Sequence, residues 1–236
     1  MFGEFDYTFR YDSNDVSIHV DQSEGFYKYF RKSAGESITK AISGGSGIMA
    51  INPVEPVNLP QEVTSYLEIH FTPVAVEPAS TQLVYLNFPI EIGVFLESKG
   101  DFDILDIFSL ATPKYSLYGP PEEGIITRYH ESPVSGTLPH TDRLKEGVVS
   151  LTIANTSRSW IEVSRVVLDC RELFLYYSDI VSIIARMDIL SKDIADVRSE
   201  DRPLREGMKP SVLLSKARKT LIPEKIPFMM EFGVGD

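Results

Sequence analysis

The chain has 236 residues with 34 acidic and 23 basic side chains, a net charge of −11, and 43% hydrophobic, 11% aromatic and 24% charged residues. That balance is ordinary for a globular protein, and the size suits one large all-β unit or two small domains. The longest charge-free stretch, Ala41 to Val54, is too short and too rich in Gly and Ser for a transmembrane helix. The opening MFGEFDYTFRYD has acids where a signal peptide needs a basic head and an apolar stretch.

From the N-terminus onward the dominant hydrophobic period is two, which argues strands. Phe5 to Arg10, Val16 to Val20 and Phe26 to Phe30 are separated by DSND and DQSEG, turn chemistries at the spacing of a β-meander. Gly44-Gly45-Ser46-Gly47 leads into the strand-like Ile48 to Ile51 without the lysine and helix that a phosphate loop requires, so it reads as a flexible turn. In Asn52 to Pro60, NPVEPVNLP, each proline fixes φ and removes a donor, which predicts an extended crossover and no regular strand. Leu67, Ile69 and Phe71 then alternate with Glu68 and His70. The run Leu83 to Leu96 carries one apolar face of Leu86, Phe88, Ile90, Ile92, Val94 and Leu96. Pro89 within it predicts a strand that is bulged, broken or on an edge at that point. Asp103 to Leu110 is expected as one or two helical turns.

Leu151-Thr152-Ile153 and Ile161-Glu162-Val163 flank NTSRS and read as a hairpin. The alternation slips near Ser164-Arg165 as at a bulge, and Trp160, just after the turn, is expected to plug one end of a sandwich. Leu173 to Tyr177 reads as a short aromatic strand. Asp179 to Val197 fits both a helical stripe and an alternating strand; its β-branched content favours strand. Lys209 to Lys225, a locally basic stretch, reads as an edge strand protected by positive charge. The expected fold is therefore mainly β, an antiparallel β-sandwich with little helix. Residues 1–236 are read as one sandwich unit, with a split into two lobes near residues 100–145 as the alternative.

Chemistry-bearing motifs are scarce. Cys170 is the one cysteine, which fits a reducing compartment and excludes an intramolecular disulfide and any multi-cysteine metal site. It has no neighbouring histidine to activate it and reads as a small packing residue. His19, His70, His130 and His140 show no HxH or HxxxH spacing, so neither a metal nor another cofactor is expected. The catalytic candidates are Glu68, His70 and Glu91. If the strands that carry them pair, two carboxylates and an imidazole would converge and could do acid–base work; the simpler reading is the solvent face of a half-buried sheet. Arg128-Tyr129-His130-Glu131 is a polar stretch suited to lining a pocket. Residues 1–118 carry 16 acids against 7 bases, which disfavours a duplex nucleic-acid partner.

Four segments carry a family likeness: NPVEPVNLP, VYLNFPIEIGVFL, TPKYSLYG and LTIANTSRSWIEV. With them the chain resembles an archaeal family known as domain of unknown function 432. The resemblance implies an archaeal cytoplasmic origin and no activity. The function expected is a cytoplasmic interaction module that binds a protein partner or self-associates, without a membrane span. The alternative is a small-molecule or carbohydrate-binding protein, or an enzyme, that uses the acidic and histidine sheet face.

Overall fold

A computed structural model describes residues 1–33, 35–59, 63–98, 100–214 and 229–230. Phe5 to Arg10 divides into β1 (Gly3–Asp6) and β2 (Arg10–Asp12). The Thr8 backbone N–H donates to Asp6 Oδ1 at 3.0 Å and turns the chain between them. The meander then forms as its turn residues predict and runs one strand further, through β3 (Val16–Ser23), β4 (Phe26–Ser33) and β5 (Glu36–Ser43). β6 (Ile48–Val54) takes in Asn52 and Pro53, which had been expected in an irregular crossover. Pro53 lies beyond the stretch that pairs with β1, where β6 has β9 alone as neighbour and a missing donor costs least.

β7 spans Tyr66–Val76. The long run after it breaks at Ile90 into β8 (Ser80–Pro89) and β9 (Glu91–Ser98). Its single apolar face serves two cores: Leu86, Phe88 and Ile90 pack in one, Ile92, Val94 and Leu96 in the other. β10 (Asp101–Phe108) corrects the helical expectation; it pairs antiparallel with β9, with a bulge between Ile104 and Asp106. β11 (Tyr115–Tyr118) and β12 (Ile125–Ser132) follow.

The expected hairpin arms become β13 (Glu146–Asn155) and β14 (Ile161–Asp169), yet they do not pair with each other. Asn155 Nδ2 donates to the carbonyls of Val76 and Ser159, both at 2.9 Å, so the polar turn joins two sheets and closes no hairpin. The bulge near Ser164 is present. A short 3-10 turn, Cys170–Glu172, precedes β15 (Tyr176–Tyr177), which covers only the end of the aromatic strand predicted there. β16 (Val181–Ile189) and β17 (Ala195–Glu200) settle the ambiguous segment as strand. β18 (Lys209–Pro210) opens the basic stretch, whose positions 215–225 lie outside the described residues; β19 is Met229–Met230.

The protein is mainly β. Sheet A runs β1-β6-β9-β10, sheet B β2-β3-β4-β5 and sheet C β11-β12-β7-β14; sheet D runs β18-β15-β16-β13-β8, with β17 on β16 and β19 on β17. The sheets are not purely antiparallel, because β12 with β7 and β13 with β16 run parallel. Between sheets A and B lies a core that includes Ile18, Tyr29, Met49, Ile51, Ile92 and Val94. Between sheets C and D lies a larger one, with Leu67, Ile69, Phe88, Leu151, Val166 and Ile183 among its members. Each such side chain contributes about 1.5–3 kcal/mol on burial, and no metal or disulfide is needed to hold sheets of this extent. The other face of sheet A is closed by Val212 and Leu214 against Phe95. Trp160 plugs nothing: it is 63% exposed.

Candidate functional site

Glu68 and His70 project from the same face of β7, opposite the core-facing Leu67 and Ile69. His70 Nε2 lies 2.7 Å from Glu68 Oε1, and Arg165 Nη1 on β14 donates to the same oxygen at 3.3 Å. Thr127 on β12 donates to Oε2 at 3.0 Å, and Ser116 on β11 donates to it as well. One carboxylate thus gathers partners from all four strands of sheet C. Burial works to raise the Glu68 carboxyl, but hydrogen bonds from Ser116, His70 and Thr127 outweigh it and hold it below the usual range. The Tyr129 ring meets His70 edge-on at 5.1 Å. Glu68 is fully buried, whereas the His70 and Arg165 side chains beside it stay 34% and 25% exposed.

Glu91 does not join them by strand pairing. β7 belongs to sheet C and β9 to sheet A, so the facing strands that would bring the three candidates together do not exist. Glu91 is fully buried; its Oε2 accepts from the Asn58 backbone N–H at 3.1 Å, while Oε1 has no hydrogen-bond partner. Burial pushes its carboxyl up to about 7, against the opposing pull of the Asn58 hydrogen bonds and the Arg128 charge. The nearby Cys170 thiol is buried and, chiefly by that burial, raised well above its ordinary range, which makes it unreactive.

Arg128 is the functional candidate the sequence reading placed only loosely. Register sets it opposite Leu67, on the face of sheet C that meets the core, and its guanidinium lies 5.6 Å from the Tyr115 ring centroid. Its residue is 1% exposed, and neither Nε nor Nη1 has a hydrogen-bond partner. Arg128, Tyr129, His130 and Glu131 all line a cleft of about 380 Å³, closed on the other sides by Pro89, Leu110, Thr112, Lys114 and Lys145-Glu146. His130 is pushed down to about 4 by burial first, then by the Arg128 and Lys114 charges. A dipeptide pattern cannot reveal such a cleft, because its walls come from segments that are distant in sequence.

Two further concave regions are present. One, of about 770 Å³, lies beside Phe102, Tyr176 and Tyr177; the other, of about 490 Å³, lies beside Trp160. Among the described residues no three His, Cys, Asp or Glu side chains converge to hold a metal ion, and no helix is long and apolar enough to cross a membrane.

The family described as "Protein of unknown function (DUF432)" matches residues 1–231. The chain belongs to that family. No curated protein and no solved structure matches this DUF432 chain, so its chemistry is argued from its own geometry. Among the described residues, β11 is a four-residue sheet end with an unusual sequence. It is the terminal strand of sheet C, and its sequence YSLY carries neither charge nor proline. Several other sheet ends are guarded: β10 by Asp101 and Asp103, β14 by Glu162, Arg165 and a bulge, and β8 by paired backbone bonds between Tyr85 and Ser135 at 2.8 and 3.0 Å. Tyr115, Leu117 and Ile126 share one face of the β11–β12 pair and are 39%, 46% and 48% exposed.

Proposed function

We propose that this DUF432 protein is a cytoplasmic interaction module that self-associates through β11, edge to edge with a second copy. The observation that carries the reading is the undefended edge with its exposed Leu117 and Ile126. Proteins generally blunt free edges with charge, proline or bulges, and β11 has none of them.

A second copy fits the edge for a geometric reason. Antiparallel pairing about Ser116 sets Tyr115 of each chain across from Leu117 of the other, on the same face, twice. Such an arrangement is isologous and closes as a dimer. Aromatic–aliphatic cross-strand pairs of this kind each add roughly 0.2–1 kcal/mol. The strand is short, so the contact is weak and concentration-dependent. The free, buried Cys170 fits a reducing cytoplasm.

Sedimentation velocity over a concentration series tests this reading. The wild-type chain is expected to shift from monomer to dimer as concentration rises, whereas Leu117→Lys and Ile126→Lys stay monomeric with unchanged circular dichroism. A wild-type chain that stays monomeric throughout, or variants that dimerise equally well, would overturn it.

A further inference from the structure

We propose that the cleft between the β8–β9 bend and β12 binds the phosphate group of a small phosphorylated molecule, with Arg128, Lys114, His130 and Thr112 as its donors. The inference is independent of self-association through β11.

The argument starts from a contrast between two buried arginines. Arg31 donates through Nε to Asp106 at 2.6 Å, through Nη1 to Ser33 and through Nη2 to Glu36 at 3.0 Å. Arg128 is equally buried, yet its Nε and Nη1 donate to nothing. An unsatisfied buried cation is among the costliest arrangements in a protein interior. Glu91 is close enough for the two charges to attract, but its Oε1 is also without a partner, so the two do not satisfy each other. A ligand that brings negative charge and acceptors to the Arg128 guanidinium would resolve the deficit.

The cleft lined by Arg128 has the means to hold one. Lys114 and Thr112 line it and are exposed, and His130 lines it from the strand that carries Arg128. Lys145 is held by Asp15 at 2.7 Å and is not counted. Glu131 and Glu146 are the opposing charges. Glu146 accepts from Asn87 Nδ2 at 3.3 Å and Glu131 is exposed, as Lys114 is, so Arg128 is the one fully buried charge lining the cleft. A tetrahedral oxyanion offers acceptors in several directions and can meet donors from different walls at once. A volume of about 380 Å³ falls within the usual range for small-molecule sites and exceeds what a phosphate alone fills. The remaining space borders Tyr129, which could cover an organic body attached to the phosphate.

Titration calorimetry with inorganic phosphate, followed in parallel by the His130 ring resonances, tests the assignment on the full chain. Phosphate is expected to bind at millimolar concentration or below and to move the His130 signals, with its titration midpoint raised from about 4 as the anion offsets Arg128 and Lys114. Arg128→Met keeps the side-chain volume and is expected to weaken binding by about tenfold or more, the loss of a charge-assisted hydrogen bond. Should that buried variant fail to fold, Lys114→Ala and Thr112→Ala at exposed positions are each expected to weaken binding severalfold. The absence of heat and of any His130 shift at millimolar phosphate would overturn the proposal. So would acetate binding as tightly as phosphate, or phosphate binding that survives Lys114→Ala and Thr112→Ala unchanged.

Discussion

Arg31 Nε donates to Asp106 Oδ2 across 2.6 Å, and this bond ties sheet B to sheet A inside their shared core. Tyr29 donates to the same carboxylate oxygen at 3.0 Å, and the Arg31 guanidinium lies 4.6 Å from the Phe108 ring centroid. Asp106→Ala removes the buried counter-charge of the Arg31 guanidinium and leaves it the exposed Glu36. It is expected to destabilise the fold by about 3–5 kcal/mol, read from the urea midpoint at unchanged slope. Arg31→Met combined with Asp106→Leu removes both charges and is expected to recover most of that loss.

Glu91 gives the fold a pH dependence of defined sign. Its folded value of about 7 lies above its ordinary 4.5, so its contribution to stability is fully present below pH 4.5 and is lost as pH rises through 7. The loss at pH 8 is on the order of 3 kcal/mol. Glu91→Gln is expected to flatten the melting temperature between about pH 5 and 8 and to raise it at the alkaline end. A wild-type melting temperature that climbs steadily across that window would contradict the assignment.

Glu68 acts in the opposite direction. Its carboxyl is held below the usual 4.5, so the stability it contributes is present above that value and lost as pH falls through the lowered one. Glu68→Gln is expected to reduce stability at neutral pH by about 1–3 kcal/mol, since Arg165 and His70 lose their acceptor's charge. As pH falls below that lowered value, the variant and the wild type should converge in chemical denaturation.

Gly147 sits where β13 passes between β8 and β16, and a Cβ there would meet Phe88 Cε1 at 2.5 Å and the Val181 carbonyl oxygen at 3.1 Å. Gly147→Ala is therefore expected to cost about 1–3 kcal/mol by overpacking, seen as a lower thermal midpoint. Trp160→Ala, at an exposed position, is expected to change stability by no more than about 0.5 kcal/mol.

Strand existence was legible wherever one face of a strand meets a core and the other does not. The alternation of Leu67, Ile69 and Phe71 with Glu68 and His70 placed β7, and Pro89 marked the break between β8 and β9. Pairing was less legible. Leu151 to Val163 carries a hairpin's polar turn, but Asn155 spends its side chain on Val76 and Ser159 and the arms part. Asp103 to Leu110 hides its strand character because the alternation that Asp101 and Asp103 begin shifts phase at the bulge before the buried Asp106. Of the candidate site, Glu68 and His70 came from one strand and their contact followed from spacing alone. The Arg128 cleft did not, since its walls come from four separate stretches of the chain.

The break at Ile90 also bears on how the chain is made. Residues up to Phe108 supply every strand of sheets A and B, with β7 and β8 set between β6 and β9. Among the described residues β8 has β13 as its strand neighbour, and β7 has β12 and β14. During synthesis at about 5–20 residues per second, the apolar faces of β7 and β8 therefore emerge from the ribosome several seconds before their partners exist. They must wait, held at one end by the nascent A–B sandwich, in the window where an exposed strand is most prone to pair with the wrong chain.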